Sequence, residues 1–264
     1  VGTAVLWPAD AQVLECRAVN ALVVLPTYNE AENITEVLDL VRAAVPEAHV
    51  LVVDDGSPDG TAALAEGWGA DHGGLKVLRR QGKQGLGSAY RAGFRQGLDE
   101  GYDVLVEMDS DLQHDPASLP DLIGAVEAGA GLAIGSRYVP GGRVPEWSWY
   151  RRAISQGGNR YASMVLGLPV RDSTAGFRAY AATTLERIRL DAVRADGYGF
   201  QVEMAYQVHR LGHRITEVPI TFGDRRRGTS KMSYRIVVEA LVLVTWWGVR
   251  DRLVRPLGRR LRRG

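Results

Sequence analysis

A single cysteine, Cys16, stands in a chain of 264 residues. No internal disulfide can form, which fits a reducing compartment. Cys16 precedes the first convincing strand and has no histidine partner nearby, so it reads as inert. Histidines number five and form no Cys/His cluster, which removes a zinc reading. Long apolar runs are missing too. The longest, "IVVEALVLVTWWGV" at 236–249, has 14 residues and contains Glu239, whereas a bilayer span needs about 20. It reads as a core or interfacial helix. The stretch "VGTAVLWPADAQVLECRAVN" has neither a basic start nor a continuous apolar core, so no signal peptide is expected. It starts on Val1 rather than Met, as expected of a processed or excised piece. Net charge is +1, so no global field draws the chain to nucleic acid. The charge is uneven, however: seven arginines fall between Arg250 and Arg263 against one acid, Asp251.

What is present is ordinary globular composition, 45% hydrophobic and 24% charged, with a strong alternation of strand-like and helix-like segments. "ALVVLP" (21–26), "HVLVVDD" (49–55), "LKVLRR" (75–80), "DVLVEMD" (103–109) and "GLAIGSRY" (131–138) are short, mostly apolar runs. The second lacks alternation, the mark of a strand buried on both faces. Between them lie helical patterns, such as Ile34, Val37, Leu38 and Val41 in a helix expected over 31–45. This rhythm predicts an α/β, Rossmann-like fold with a mostly parallel central sheet flanked by helices. Further helices are expected at 153–167, near 181–189 and over 198–212, with an alternating strand in "RITEVPITF". The expected organisation is an N-terminal extension over 1–20, one domain over 21–235, and a C-terminal amphipathic helix with a basic tail over 236–264.

Ligands of such sheets bind beyond the carboxyl ends of the strands. Those ends read "PTYNE", "DDGSPDG", "RRQGKQG", "DSDLQ" and "GSRY", all polar and turn-forming, and they are expected to meet in one site. Asp109 and Asp111 sit two apart at a strand end, so both side chains can point the same way. Gln113 adds a neutral oxygen. Oxygen donors of this kind suit Mg²⁺ or Mn²⁺, which take further ligands from water and substrate phosphate. The plainer reading is a solvated acidic turn, with Asp115 capping the next helix through Pro116. Asp55 in "VVDDGSPDG" is placed to read a nucleobase or ribose, while Gly56 and Gly60 make the turn. Tyr28 is placed to pack on a base, and Asn29 or Glu30 to cap the following helix. Lys83 lies among glycines, as in a phosphate-contacting loop, and Arg137 ends the fifth strand. Arg225, Arg226, Arg227 and Lys231 fall in a Gly/Ser-rich loop, the composition of a lid that closes on phosphate; a solvated basic loop is the alternative.

The ordered set "LPTYNEAENI", "VVDDGSPDGTA", "GLGSAYRAGF", "MDSDLQHDP", "GSRY", "STAGFRAY", "YGFQVEM" and "RRRGTSKMS" resembles the polyprenol-phosphate mannose synthases. These are dolichol-phosphate-mannose-synthase-like members of glycosyltransferase family 2, with a GT-A fold. The likeness runs from about 21 to 235; a lone Asp-x-Asp is weakly specific, whereas the ordered set is strongly so. It implies GDP-mannose as donor and a polyprenyl phosphate as acceptor. It implies that Pro26, Tyr28, Glu30, Val53 and Asp55 hold the guanosine. Asp109, Asp111 and Gln113 match metal and diphosphate positions, with Ser110 and Lys83 also on the donor. Arg137, Arg225 and Lys231 match donor-phosphate and lid positions; Asp111, Arg225 and Lys231 are the catalytic candidates. Arg151 and Ser155 match the acceptor-phosphate segment. Two departures stand out: some relatives carry C-terminal transmembrane helices that this sequence lacks, and the family's "QHPP" reads "QHDP" here.

The chemistry implied is a single in-line displacement that inverts an α-linked donor into a β-mannosyl phosphate. A phosphate monoester is already anionic, since its second pKa lies near 6, so a strong general base is dispensable. This accounts for the lack of a well-placed catalytic histidine; His114 reads as structural. An apolar path for the lipid is expected from "WSWYRR" and the C-terminal helix, where Trp246 and Trp247 precede the arginines. Tryptophan favours membrane interfaces and basic segments favour anionic lipid. Peripheral attachment to the cytoplasmic face of the membrane is the expectation, with a core helix and basic tail as the competing reading. Alternative functions are a UDP-glucose-dependent polyprenyl-phosphate glucosyltransferase and a non-catalytic nucleotide-binding module of a larger membrane complex. A membrane-embedded partner domain is also open.

Overall fold

The computed structural model describes residues 19–193, 195–223 and 241–251. Cys16, Arg225, Arg226, Arg227, Lys231 and the basic tail after Asp251 lie outside the described residues. Seven strands, β1 (Ala21–Thr27), β2 (His49–Asp54), β3 (Leu75–Arg79), β4 (Val104–Glu107), β5 (Leu132–Ser136), β6 (Arg178–Ala181) and β7 (Ile215–Pro219), form one sheet. Their order is β3-β2-β1-β4-β6-β5-β7. Every neighbouring pair is parallel except the two that involve β6.

Alternate residues of each strand feed two separate cores. Val23, Leu25, Val50 and Val52 face α1 (Ile34–Ala44), α2 (Thr61–His72) and, through Val104 and Val106, α4 (Leu119–Glu127). Leu22, Val24, Leu51 and Val53 face α3 (Leu86–Asp99), α5 (Trp149–Leu166) and α7 (Gly197–Arg210). Burial on both faces is why these strands read as unbroken apolar runs. Residues 241–251 form a helix, α8, which joins the second core through Val244 and Trp247.

Three elements depart from the expectations. Helix α1 starts at Ile34 rather than 31, because the Glu30 carbonyl first accepts the amides of Asn33 and Ile34 in a preceding turn. The expected helix near 181–189 is only α6 (Ala182–Leu185). Strand β6 was not expected at all. It is four residues long, and its core position is held by a charged residue, Arg178, which is fully buried. Burial is tolerated because the guanidinium donates to the carbonyls of Ala175, Gln201 and Ser173, each at 2.7 Å.

Candidate active site

The loops after β1, β2, β3 and β4 converge on one cleft of about 500 Å³. The first two are stitched together. The amides of Asn29, Glu30 and Ala31 donate to the side chains of Ser57, Thr61 and Asp59, each at 3.0 Å. Burial raises the Asp59 pKa, but hydrogen bonds from Thr61 and Ala31 outweigh it and hold the carboxyl below its ordinary value. Gly56 has φ +73°, and a Cβ there would meet Gly82 N at 3.0 Å, so the β2 and β3 loops touch only because this residue is glycine.

Asp109 and Asp111 both line the cleft. The Asp109 Oδ1 accepts a hydrogen bond from Tyr90 at 2.9 Å. Burial, then Asp109 and Glu107, push the Tyr90 phenol well above its ordinary pKa, so it stays a donor. Leu112 adopts a left-handed φ of 62°, an uncommon and strained state for a non-glycine residue. It turns the loop so that the amide of Gln113 donates to Asp111 Oδ1 at 3.1 Å. Among the described residues no group of three His, Cys, Asp or Glu side chains forms a cage for a metal. Two hard oxygen donors at the edge of an open cleft fit a cation of the Mg²⁺ or Mn²⁺ type that completes its shell with phosphate and water.

Across the cleft, Lys83 Nζ lies 5.0 Å from the Tyr28 ring centroid, a cation–π contact between two residues of the cleft wall. Asp55 accepts the amide of Gln84 at 2.9 Å and pairs with Arg80 at 2.9 Å, both side chains being nearly buried. It therefore anchors the loop that carries Lys83. Asp54 faces Thr27, Gly56 and Ser57 and is a turn residue.

A second cavity, about 340 Å³, opens between α5, α7 and α8. Its walls are apolar, with Tyr150, Ile154, Val202, Leu241 and Val244, and its polar groups include Arg151, Ser155 and Tyr198. Trp147 carries two guanidinium groups, Arg151 at 4.0 Å and Arg137 at 5.4 Å from its centroid. Ser155 Oγ accepts from Tyr138 at 2.7 Å. His114 is buried between Phe177 and Phe222; burial pulls its pKa down to about 4, so it is neutral and structural.

The chain matches the family described as "Glycosyl transferase family 2" over residues 22–189. It is 54% identical over 231 residues to an undecaprenyl-phosphate mannosyltransferase of Micrococcus luteus, covering 88% of this chain and 95% of the relative. A polyprenol monophosphomannose synthase of Mycolicibacterium smegmatis is 50% identical over 238 residues, 90% of each chain. The chain belongs to glycosyl transferase family 2. It is a glycosyltransferase. Among solved structures, a mannosyltransferase from Pyrobaculum calidifontis in complex with GDP-Man and Mn²⁺ superposes with a TM-score of 0.62 at 20% identity, over 88% of this chain and 64% of that one. Glucosyl-3-phosphoglycerate synthase from Mycobacterium tuberculosis, with Mn²⁺, UDP and phosphoglyceric acid, gives 0.64 at 22% identity, over 86% and 79%. Both share the GT-A fold that the sequence predicts.

Most of the family residues named from sequence meet in the cleft: Pro26, Tyr28, Glu30, Asp55, Lys83, Asp109, Ser110 and Asp111 all line it. Ser110 also ties the β4 end to β1, donating to the Pro26 carbonyl at 3.0 Å. Three do not line it. Val53 is fully buried in the core beneath. Gln113 turns its amide to the Gly223 carbonyl at 3.2 Å, bracing the segment that follows β7. Arg137 was expected on the donor phosphate, but it is 6% exposed and doubly bonded to Asp172 at 2.7 Å. Burial opposes its charge, yet Asp172 holds it protonated. It lies against Trp147 and Thr174 of the groove wall, and in the sheet β6 separates its strand from β4. Arg151 and Ser155 both line the groove. Trp147, within "WSWYRR", was expected on the lipid path, whereas sequence reasoning missed Tyr90, Asp172 and Asp196, whose roles depend on partners distant in sequence. Tyr90 lies within the quoted "GLGSAYRAGF", the one signal available.

Proposed function

We propose that this glycosyltransferase moves mannose from GDP-mannose to a polyprenyl monophosphate. The observation that carries the reading is the closeness of two unlike cavities, walled by the consecutive Gly197 and Tyr198: a cleft with two carboxylates and a more apolar groove that holds Arg151 and Ser155. The relatives' names supply the sugar and the lipid class. The nucleotide lies along Tyr28, Glu30 and Asp55, with Lys83 on the phosphate side. Asp109 and Asp111 hold Mg²⁺ or Mn²⁺, which when bound neutralises charge on the leaving diphosphate. Arg225 and Lys231, outside the described residues, are assigned to the same charge by sequence.

The acceptor phosphate, held by Arg151 and Ser155, attacks the anomeric carbon with one of its own oxygens. The new carbon–oxygen bond forms as the bond to diphosphate breaks, and GDP leaves with the electron pair. In-line attack inverts the anomeric centre to β. No proton has to be removed from the nucleophile, which agrees with the neutral, buried His114.

No described helix is long and apolar enough to cross a membrane. The outer faces of α5 and α8 nonetheless expose Trp149 (82%), Ile154 (65%), Met164 (69%), Val242 (63%) and Trp246 (61%). These helices pack together, with Tyr161 bonded to Thr245 at 2.7 Å, and they border the groove. We assign this face to the cytoplasmic membrane surface, where a lipid acceptor is presented.

The test is a donor screen with GDP-mannose, UDP-glucose or GDP-glucose, a short polyprenyl phosphate and Mg²⁺, with Asp109→Ala in parallel. Label in the organic phase from GDP-mannose alone, lost with EDTA and in the variant, is expected. Label from UDP-glucose alone would overturn the sugar and keep the mechanism. No label with nucleotide binding intact would overturn the catalytic reading in favour of a binding module.

A further inference from the structure

Consecutive residues at the start of α7 wall both cavities. Asp196 and Gly197 line the donor cleft, and Tyr198 lines the acceptor groove beside Arg151 and Ser155. Rigid contacts hold this corner. Asp196 accepts the amide of Gly87 at 2.6 Å, at the start of α3. One helical turn on, Phe200 stacks on Tyr90 with centroids 6.0 Å apart, and Tyr90 donates to Asp109. The helix pair that orients Asp109 therefore also places Tyr198.

Not every polar group on the groove wall is suited to a ligand. Asn159 accepts from Ser173 and the Thr174 amide and donates to the Ser155 carbonyl, joining α5 to the 173–174 turn. Thr174 accepts from Arg137 and lies against Asp172. Both serve the scaffold. Ser155 accepts from Tyr138, which orients its own hydroxyl proton outward to donate. Tyr198 is mostly buried, and its phenol feels the charges of Arg137, Arg151 and Asp109. Burial leads those influences, and together they keep it protonated above its ordinary range. Tyr198 lines the groove with Arg151 and Ser155, next in sequence to Gly197 of the cleft wall.

We infer that Tyr198 is a catalytic residue whose hydroxyl donates a hydrogen bond to the acceptor phosphate, forming with Arg151 and Ser155 a cradle that turns one phosphate oxygen toward the donor. This rests on the reading that the groove takes a polyprenyl phosphate. Tyr198→Phe keeps the ring and removes only the hydroxyl. Transfer to polyprenyl phosphate, acceptor-free hydrolysis of GDP-mannose and GDP binding with Mn²⁺ are measured side by side. The expected result is a fall in kcat/KM for the acceptor of about 10- to 100-fold, the range for one hydrogen bond to a charged group. Hydrolysis and GDP binding stay at wild-type levels. Unchanged transfer would overturn the inference. So would a parallel fall in transfer, hydrolysis and GDP binding, which marks a structural role. If the wild-type protein transfers to no lipid phosphate, the acceptor reading itself fails and the inference goes with it.

Discussion

At the scale of the residue, the least expected group is Glu107. It is fully buried two positions before Asp109, with Arg178 Nε at 3.5 Å. Arg178 donates to three carbonyls and stands 3.5 Å from the carboxylate, so its charge offsets the burial of Glu107 only in part. Burial pushes the Glu107 carboxyl from 4.5 up to about 8, against the pull of Arg178 and with a further push from Asp109. Between those two values the folded chain holds a proton that the unfolded chain has released. Stability contributed by this group is therefore full below 4.5 and is lost as pH rises through about 8. Thermal unfolding from pH 4.5 to 8.5 should show that decline in the wild type and a flatter profile in Glu107→Gln. Equal slopes would show that Glu107 is ionised in the fold. The sequence reading treated "VLVE" as the end of a strand, and nothing local marks this carboxyl as buried; only the crossing of β6 and α7 encloses it.

At the scale of the element, helix α3 is the part most tightly matched to the sheet. A Cβ at Gly93 would lie 2.4 Å from Val24 Cγ1, and one at Gly97 would lie 2.5 Å from Leu105 Cδ2. The glycines let the helix backbone approach β1 and β4, which sets the depth at which Tyr90 reaches Asp109. Gly93→Ala should destabilise by about 1–3 kcal/mol through overpacking, measured by urea denaturation. It should also weaken Mn²⁺-dependent GDP binding as α3 shifts. A variant as stable as wild type would mean that α3 has slack. The helix itself was legible in the pattern of "GLGSAYRAGFRQGLDEG". The function of Gly93 and Gly97 was not, because a helical glycine has no evident role when its neighbours across the interface are unknown.

At the scale of the whole molecule, the exposed face of α5 and α8 predicts vesicle binding. Trp149→Ala with Trp246→Ala should reduce cosedimentation with anionic vesicles several-fold while leaving GDP binding intact. Truncation of 250–264 should remove a part that is sensitive to salt, since each basic residue near anionic lipid is worth about 1 kcal/mol. Unchanged binding in both variants would remove the membrane assignment for this face. The sequence pointed to the C-terminal helix for attachment and took "WSWYRR", which contains Trp149, only as an apolar path for the lipid. A tryptophan at 149 is as compatible with a core as with a surface until packing is known.

Sequence alone determined the α/β class, the family and most of the donor cleft. The reason is local: strand-end loops carry their chemistry in contiguous motifs, and a parallel sheet brings its carboxyl ends to one edge. Tertiary structure decided everything that depends on contacts between distant segments. It inserted β6 beside β4 and paired Arg137 with Asp172 outside the cleft lining. It buried Glu107 and Arg178, set Tyr90 on Asp109, and placed Tyr198 on the wall of the groove. Such pairings are fixed by how helices and strands pack, and the pattern of any one segment contains no record of its neighbour.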